Sequence, residues 1–452
     1  MKGTLTSIAL LSFLSAFSQT KNDSLTFRNI ADVTMDSGKA YSNLYELTKT
    51  IGHRLSGSTA YEKATDWAAQ KLKEAGADKV WKQEVKVPVW TRGKESLQIQ
   101  GKDGQWRSVK MLSLGNSEGT KGNDLTGEII VVKSIDEFEK MPDSKIKDKI
   151  ILFNYPFPQN YIYTMEGYRE ASPYRRNTAT LVAKKGGKAV LVRSLSTAFD
   201  DVPHTGGMRY EDGVKKIPAI AVGPKTADEL ESLAQQQKIT AKINSHCGMN
   251  GEKLTYNVIG EISGKKDNKV IVAGGHLDSW DVGEGAHDDG AGIVQAIEII
   301  NIFKKLNIQN NHTIRVVCFA NEENGTRGGD AYADSIKVKN ENHLFAIESD
   351  SGGYAPRGIS LEMDESKRMQ IQSWQSLFLP YGVYDFSLTH SGSDIEPMKM
   401  QNVPLSGLIP DSQRYFDLHH SESDTFEKVN RRELLLGAVT MAQIVYLIDK
   451  NW

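Results

Sequence analysis

The spacing of apolar positions changes along this chain, and the changes divide it into segments. Residues 26 to 76 read as helical, interrupted by Ile51-Gly52-His53-Arg54-Leu55-Ser56-Gly57-Ser58. Ser58 is placed to cap a helix carrying Tyr61, Trp67, Ala68 and Leu72 at helical spacing. Val85 to Val89 and Ser96 to Gly101 alternate like strands. From about residue 116 to 244 the chain behaves as a unit. Apolar runs at 128–132, 149–153 and 189–192 predict short strands, with a helix from Thr178 to Lys185 before the third. A strand at 217–222 and a helix from Thr226 to Gln236 close that unit. No cluster of metal ligands or acid–base pairs falls inside it, so it reads as an inserted lid or recognition domain.

From Thr255 onward strands and helices alternate, which implies an α/β fold with a mostly parallel sheet covered on both faces. Val270 to Ala273 is a strand leading to His276. The next helix repeats apolar residues at Ile293, Ile297, Ile300 and Phe303. Thr313 to Ala320 leads to Glu322, and Leu344 to Ile347 leads to Asp350. Pro404 to Ile409 runs toward His420, and a helix from Arg431 to Ile448 ends the domain. Three successive strands thus deliver ligand-capable residues at their C-terminal ends, the edge where open α/β sheets bind ligands.

At 452 residues the chain exceeds one ordinary core, so two domains are expected. A net charge of −2 without any basic run gives no reason to expect nucleic acid or an anionic membrane as partner. The N-terminus differs from the rest: Lys2, a short apolar core around Ile8 to Phe17, then small residues at Ala16 and Ser18. That is a secretory leader cleaved after Ser18, and it is too short to span a bilayer. The layout is therefore a leader at 1–18, a catalytic domain built from 19–115 and 245–452, and an inserted domain at 116–244. The mature protein is expected to be exported, secreted or periplasmic. Of the two cysteines, Cys318 sits in a buried-strand pattern, so a free thiol is expected rather than a disulfide.

The chemistry concentrates at the strand ends. Two metal ions close together need a shared carboxylate and further nitrogen or oxygen ligands on each side. Asp288 is the candidate bridge, His276 and Asp350 complete one site, and Glu323 and His420 complete the other, with two Zn2+ per chain. Glu322 is left over beside a ligand, as a general base requires. Asp278 is suited to accept the second ring N–H of His276 and fix its tautomer. The Asp288-Asp289 pair in a tight turn suggests an unusual peptide geometry. Taken singly, each feature has an ordinary explanation: Asp-Asp-Gly is a common turn and His419-His420 a surface pair. Their coincidence at successive strand ends is what argues for a metal centre. His287 should point away from it. His204, and His390 with Ser393 and Asp394, lie in glycine-containing loops placed to reach a substrate.

Gly275-His276-Leu277-Asp278, Asp288-Asp289-Gly290-Ala291-Gly292, Glu322-Glu323, Glu348-Ser349-Asp350 and His419-His420-Ser421 with Asp424-Thr425 resemble the co-catalytic zinc peptidases that include bacterial aminopeptidases and glutamate carboxypeptidases. Arg54 to Ser58, Trp90 to Ser96 and Pro203-His204-Thr205-Gly206 extend the resemblance over nearly the whole mature chain. It implies a phosphorylase/hydrolase-like mixed sheet flanked by helices, with an inserted protease-associated domain. It also implies a homodimeric, exported enzyme acting on small peptides, dipeptides with free termini in particular. In that chemistry an oxygen activated between the two metals attacks the peptide carbonyl and Glu322 shuttles the proton. Aminopeptidase action on longer peptides and a single-zinc glutaminyl cyclase-like reaction are the alternatives. The loop at Ser391 to Asp394 and the Glu422-Ser423 segment depart from the family pattern, which leaves side-chain preference open.

Overall fold

The computed structural model describes residues 22–452, so the leader expected at 1–18 lies outside the described residues. Ser58 does cap the helix Thr59–Ala75: its hydroxyl accepts the N–H of Tyr61 at 3.0 Å, and Gly76 in the left-handed region ends it. Two sheets organise the remainder. The first has seven strands in the order Lys79–Thr91, Gly248–Ile262, Thr313–Phe319, Val270–His276, His343–Glu348, Leu405–Pro410 and Pro356–Ile359. Its four inner strands, from Thr313–Phe319 to Leu405–Pro410, are mutually parallel.

Alternation along these inner strands feeds two cores. Ile271 and Ala273 point to one face with Ile314, Val316 and Cys318. Val270 and Val272 point to the other with Val317 and Phe319. Helices Thr59–Ala75, Ala291–Lys305 and Arg431–Asn451 cover the first face, and Arg327–Lys339 covers the second through Tyr332, Ala333 and Ile336. Burial on both faces is why these strands are mostly apolar, with Arg315 tolerated inside Thr313–Phe319 because Glu261 and Glu341 pair with it. Cys318 and Cys247 are buried free thiols.

The order of the inner strands makes the site. After Val270–His276 the chain goes to Thr313–Phe319 on one side, then crosses to His343–Glu348 on the other. The crevice at that reversal opens at the C-terminal ends of all three strands.

The second sheet has eight strands, ordered Trp106–Val109, Glu95–Gln100, Thr240–Ser245, Leu125–Val132, Ile150–Phe153, Ala189–Arg193, Ala219–Val222 and Leu112–Ser113. Residues 95–113 therefore hydrogen-bond into this sheet, upstream of the boundary expected at 116. Short alternating strands carry no mark of the sheet they will join, so only pairing reveals it. The helix expected from Thr178 to Lys185 is also longer, running Thr164–Lys184 through Pro173. Proline removes one backbone donor and normally reads as a stop. Here the hydroxyl of Ser172 donates to the Arg169 carbonyl, the acceptor that Pro173 leaves without a partner.

The helix Ala291–Lys305 begins hard against the strand end. A Cβ on Gly292 would stand 1.9 Å from the Ser349 carbonyl oxygen and 2.5 Å from both Asp289 carboxylate oxygens. Gly292→Ala is expected to cost about 1–3 kcal/mol or more, because the Ser349 oxygen is backbone and the Asp289 carboxylate is held by two backbone N–H groups. Chemical denaturation of the metal-free protein measures it; unchanged stability contradicts this packing.

Candidate metal centre

Five elements converge on one buried carboxylate. Asp288 lies in the turn Ala286–Gly290, and its peptide bond to Asp289 is cis. Its Oδ1 is 3.1 Å from His276 Nε2, and its Oδ2 is 3.1 Å from His420 Nε2. His276 Nε2 is also 3.3 Å from Asp350 Oδ1, and His420 Nε2 is 3.1 Å from Glu323 Oε2. The structure thus brings all five expected ligand residues together, with Asp288 between the two imidazoles.

Backbone N–H groups hold these carboxylates in place. Asp424 accepts the N–H groups of His287 and Asp288 at 2.8 and 3.1 Å, fixing the turn. Asp289 accepts those of His276 and Gly292, both at 3.0 Å, bracing the strand against the helix. Glu323 Oε1 accepts from Trp280 N–H at 3.1 Å, which leaves Oε2 facing His420. Arg54 is fully buried and donates to the carbonyls of Leu277, Glu284, Gly285 and Gly52, tying together the loops on either side of the turn. Neither Asp424 nor Arg54 was assigned a role from sequence, although both lie in the motifs that carry the resemblance.

Asp278 acts differently from expectation. The ring Nδ1 of His276 donates to the backbone carbonyl of Asp278 at 3.0 Å, while its carboxylate is 3.7 Å away. That carboxylate instead accepts the N–H of Glu322 at 3.1 Å and so positions the residue expected to be the base. A strand-end backbone can satisfy a nearby imidazole without the side chain, which residue spacing does not reveal.

These contacts test whether a cation suits the site. A carbonyl can only accept, so His276 Nδ1 carries the proton and Nε2 in the neutral ring presents a lone pair. Two carboxylate oxygens face that lone pair at 3.1 and 3.3 Å. Asp288 Oδ2 is buried and receives no aligned hydrogen bond. Such an arrangement needs a positive charge at its centre. Protons supply it here: burial opposes protonation of both imidazoles, yet Asp350 and Asp288 raise His276 well above its ordinary value. Against the same opposition Glu323 and Asp288 raise His420 to about 10. Burial and the Asp288 charge push Glu323 up to about 8, and burial pushes Asp350 to about 6 despite His276. Burial also works against ionisation of Asp288, but His276 and His420 hold it well below the usual carboxylate range. Divalent cations would displace these protons, as metal binding to imidazole and carboxylate ligands does. The residues fit.

His419 is the residue sequence reasoning undervalued. Its Nε2 is 3.7 Å from Asp288 Oδ2 and its ring stacks on His420 at 3.5 Å between centroids. Asp288, His419 and His420 also offer ligand atoms within 4.8 Å of one another, as do His276, Asp288 and Asp350. His419 is, however, packed among Tyr168, Tyr415 and Phe416. Glu323 makes the closer approach to His420, so it remains the better candidate there.

A cavity of about 520 Å³ opens on the centre, lined on one side by Asp288, Glu322, Glu323 and Asp350 and on the other by Arg175, Arg176 and Arg209 of the second unit. Glu322 makes no side-chain hydrogen bond among the described residues, so its carboxylate is free toward the cavity. Of the expected substrate contacts, Ser393 lines the cavity and His390 lines an adjoining pocket of about 170 Å³, its ring stacked on Tyr163. The other two are corrected. His204 is buried, its Nδ1 donating to the His419 carbonyl at 2.6 Å, and it serves to hold the histidine pair. Asp394 is fully enclosed and lines neither cavity, its backbone N–H donating to Glu348. His287 does turn away, accepting from Gly353 N–H and stacking on Tyr354.

Comparison with known proteins agrees with this geometry. Residues 257–445 match the model of peptidase family M28. Human carboxypeptidase Q is 32% identical over 422 residues, covering 93% of this chain and 87% of its own length. A peptidase M28 precursor from Shewanella amazonensis superposes with a TM-score of 0.90 at 31% identity, covering 95% of this chain and 97% of that one. A zinc aminopeptidase from Bacillus subtilis shares the fold at a TM-score of 0.65 and 20% identity, over 91% of this chain and 95% of its own. The chain belongs to peptidase family M28 and is a zinc metallopeptidase, with the carboxypeptidase Q enzymes among its relatives.

Proposed function

We propose that this chain is an exported di-zinc exopeptidase that hydrolyses small peptides, dipeptides with free termini in particular. The observation that carries the reading is Asp288 standing between two imidazoles, 3.1 Å from each, with Asp350 and Glu323 completing a set of ligand atoms on either side. In this assignment His276 and Asp350 would hold one ion and Glu323 and His420 the other, with the Asp288 carboxylate available to both. Zinc bound there would supply Lewis acidity toward a carbonyl and make a water at the site easier to deprotonate near neutral pH.

The chain's own residues perform the remaining work. Glu322, held by its backbone bond to Asp278, takes the proton of a water as that water's oxygen attacks the scissile carbonyl carbon. It returns the proton to the nitrogen as the C–N bond breaks. The second unit is read as a protease-associated-like domain that closes the cavity. Its loop Pro203 to Gly206 supports this role, since the N–H of Thr205 donates to the His420 carbonyl at 2.8 Å. A leader at 1–18 and a homodimer complete the proposal, and no helix among the described residues is long and apolar enough to cross a membrane. Human carboxypeptidase Q supports the exopeptidase reading by similarity.

Glu322→Gln is expected to retain its metal while kcat falls about 10²- to 10⁴-fold, the usual worth of a positioned acid–base group. Kinetics alongside elemental analysis check this, and full activity in the variant would remove the assigned base. A chelator should abolish hydrolysis and zinc restore it. Mass spectrometry of products from a dipeptide and a decapeptide should show the dipeptide cleaved in preference; efficient trimming of the decapeptide would indicate aminopeptidase action.

A further inference from the structure

One buried cation on the cavity wall is unbalanced among the described residues. Arg175 on the helix Thr164–Lys184 is only 4% exposed, yet it has no carboxylate partner among the described residues. One Nη donates to the Tyr168 hydroxyl at 2.5 Å, and the guanidinium lies 5.3 Å from that ring's centroid. Its Nε is buried without any hydrogen-bond partner. A desolvated guanidinium left unpaired is costly, and buried arginines normally meet an anion in bidentate fashion. Arg175 lines the cavity that holds the candidate metal ligands.

Its position is set by the Pro203 to Gly206 loop. A Cβ on Gly206 would stand 2.5 Å from Arg175 Nη1 and 2.7 Å from His420 Nδ1. Gly206, at a φ of +130°, therefore lets the guanidinium come close beside the histidine assigned to the second metal site. Arg176 and Arg209, both exposed, line the same wall. The cavity is cationic on the side of the second unit and acidic on the side of the sheet.

From this we infer that Arg175 is the anchor for the C-terminal carboxylate of the substrate, so that the residue after the scissile bond must be the last one. The inference rests on the peptidase reading above and sharpens it. In a dipeptide only the amide nitrogen and one Cα separate the scissile carbonyl carbon from the terminal carboxyl carbon, a distance of about 3–4 Å by standard backbone dimensions. A carboxylate so placed meets a guanidinium adjacent to the metal centre, and a longer peptide would present a neutral amide to it. The planar fork of arginine matches a carboxylate as a lysine ammonium does not.

The test compares a dipeptide with its C-terminal amide on the zinc-loaded enzyme. Wild type is expected to favour the free acid in kcat/KM by about 30-fold or more, the range for losing one partner of a buried charge pair. In Arg175→Gln that ratio should fall to within about threefold of unity, with zinc content unchanged, the loss appearing mainly in KM for the acid. Arg175→Lys, which keeps the charge and is the safer fold, should retain an intermediate preference. Equal turnover of acid and amide by wild type would overturn the assignment, as would a full preference persisting in zinc-replete Arg175→Gln. Loss of zinc from both variants would overturn it as well, showing instead a clamp on the histidine pair. If the zinc-loaded wild type cleaves neither compound, the peptidase reading itself fails, which is a different result from cleaving both alike.

Discussion

Excess negative charge gathered at one sheet edge is the constraint on which the rest of this structure depends. Parallel strands end together, and this chain places a carboxylate or imidazole just past each of those ends. Left alone, such a cluster would repel itself apart in a low-dielectric crevice. It is held by backbone donors instead: the N–H groups of His276, His287, Asp288, Trp280, Gly292 and Glu322 all point at carboxylates. The residual charge is what makes the site attractive to divalent cations. Asp289, Asp424 and Asp278 are taken up by backbone donors, so that Asp288, Asp350 and the Oε2 of Glu323 face the centre.

The second unit completes the site from outside the sheet. Its loop bonds the carbonyls of both His419 and His420, so the histidine pair is clamped between the two units. Arg92 joins them at the crossing point, paired with Asp281 and donating to the Ser113 carbonyl. A cavity walled by acids on one side and arginines on the other follows from that docking. Neither unit alone presents it.

Much of this was legible from residue pattern. Buried strands of the α/β half are mostly apolar, and the polar residues that follow their ends are conspicuous, so His276, Glu323 and Asp350 stand out before any coordinates, with Asp288 in the Asp-Asp-Gly turn beside them. The second unit is harder to read, because its contribution is positional. Arg175 sits on a helix whose early turns are masked by Pro173, in a segment without ligand clusters. Its significance is the carboxylate it lacks, which no sequence displays. Asp278 shows the same limit at smaller scale: His-x-Asp spacing is compatible with either its side chain or its carbonyl meeting the imidazole, and the strand-end geometry selects the carbonyl.

Where positive charge sits around Asp288 is tested most directly by zinc-edge anomalous diffraction from zinc-loaded crystals. Two peaks are expected on opposite sides of the Asp288 carboxylate, about 3.5–4 Å apart as in other paired-metal hydrolases, one beside His276 and the other beside His420. A single peak, or metal bound away from Asp288, would contradict that placement.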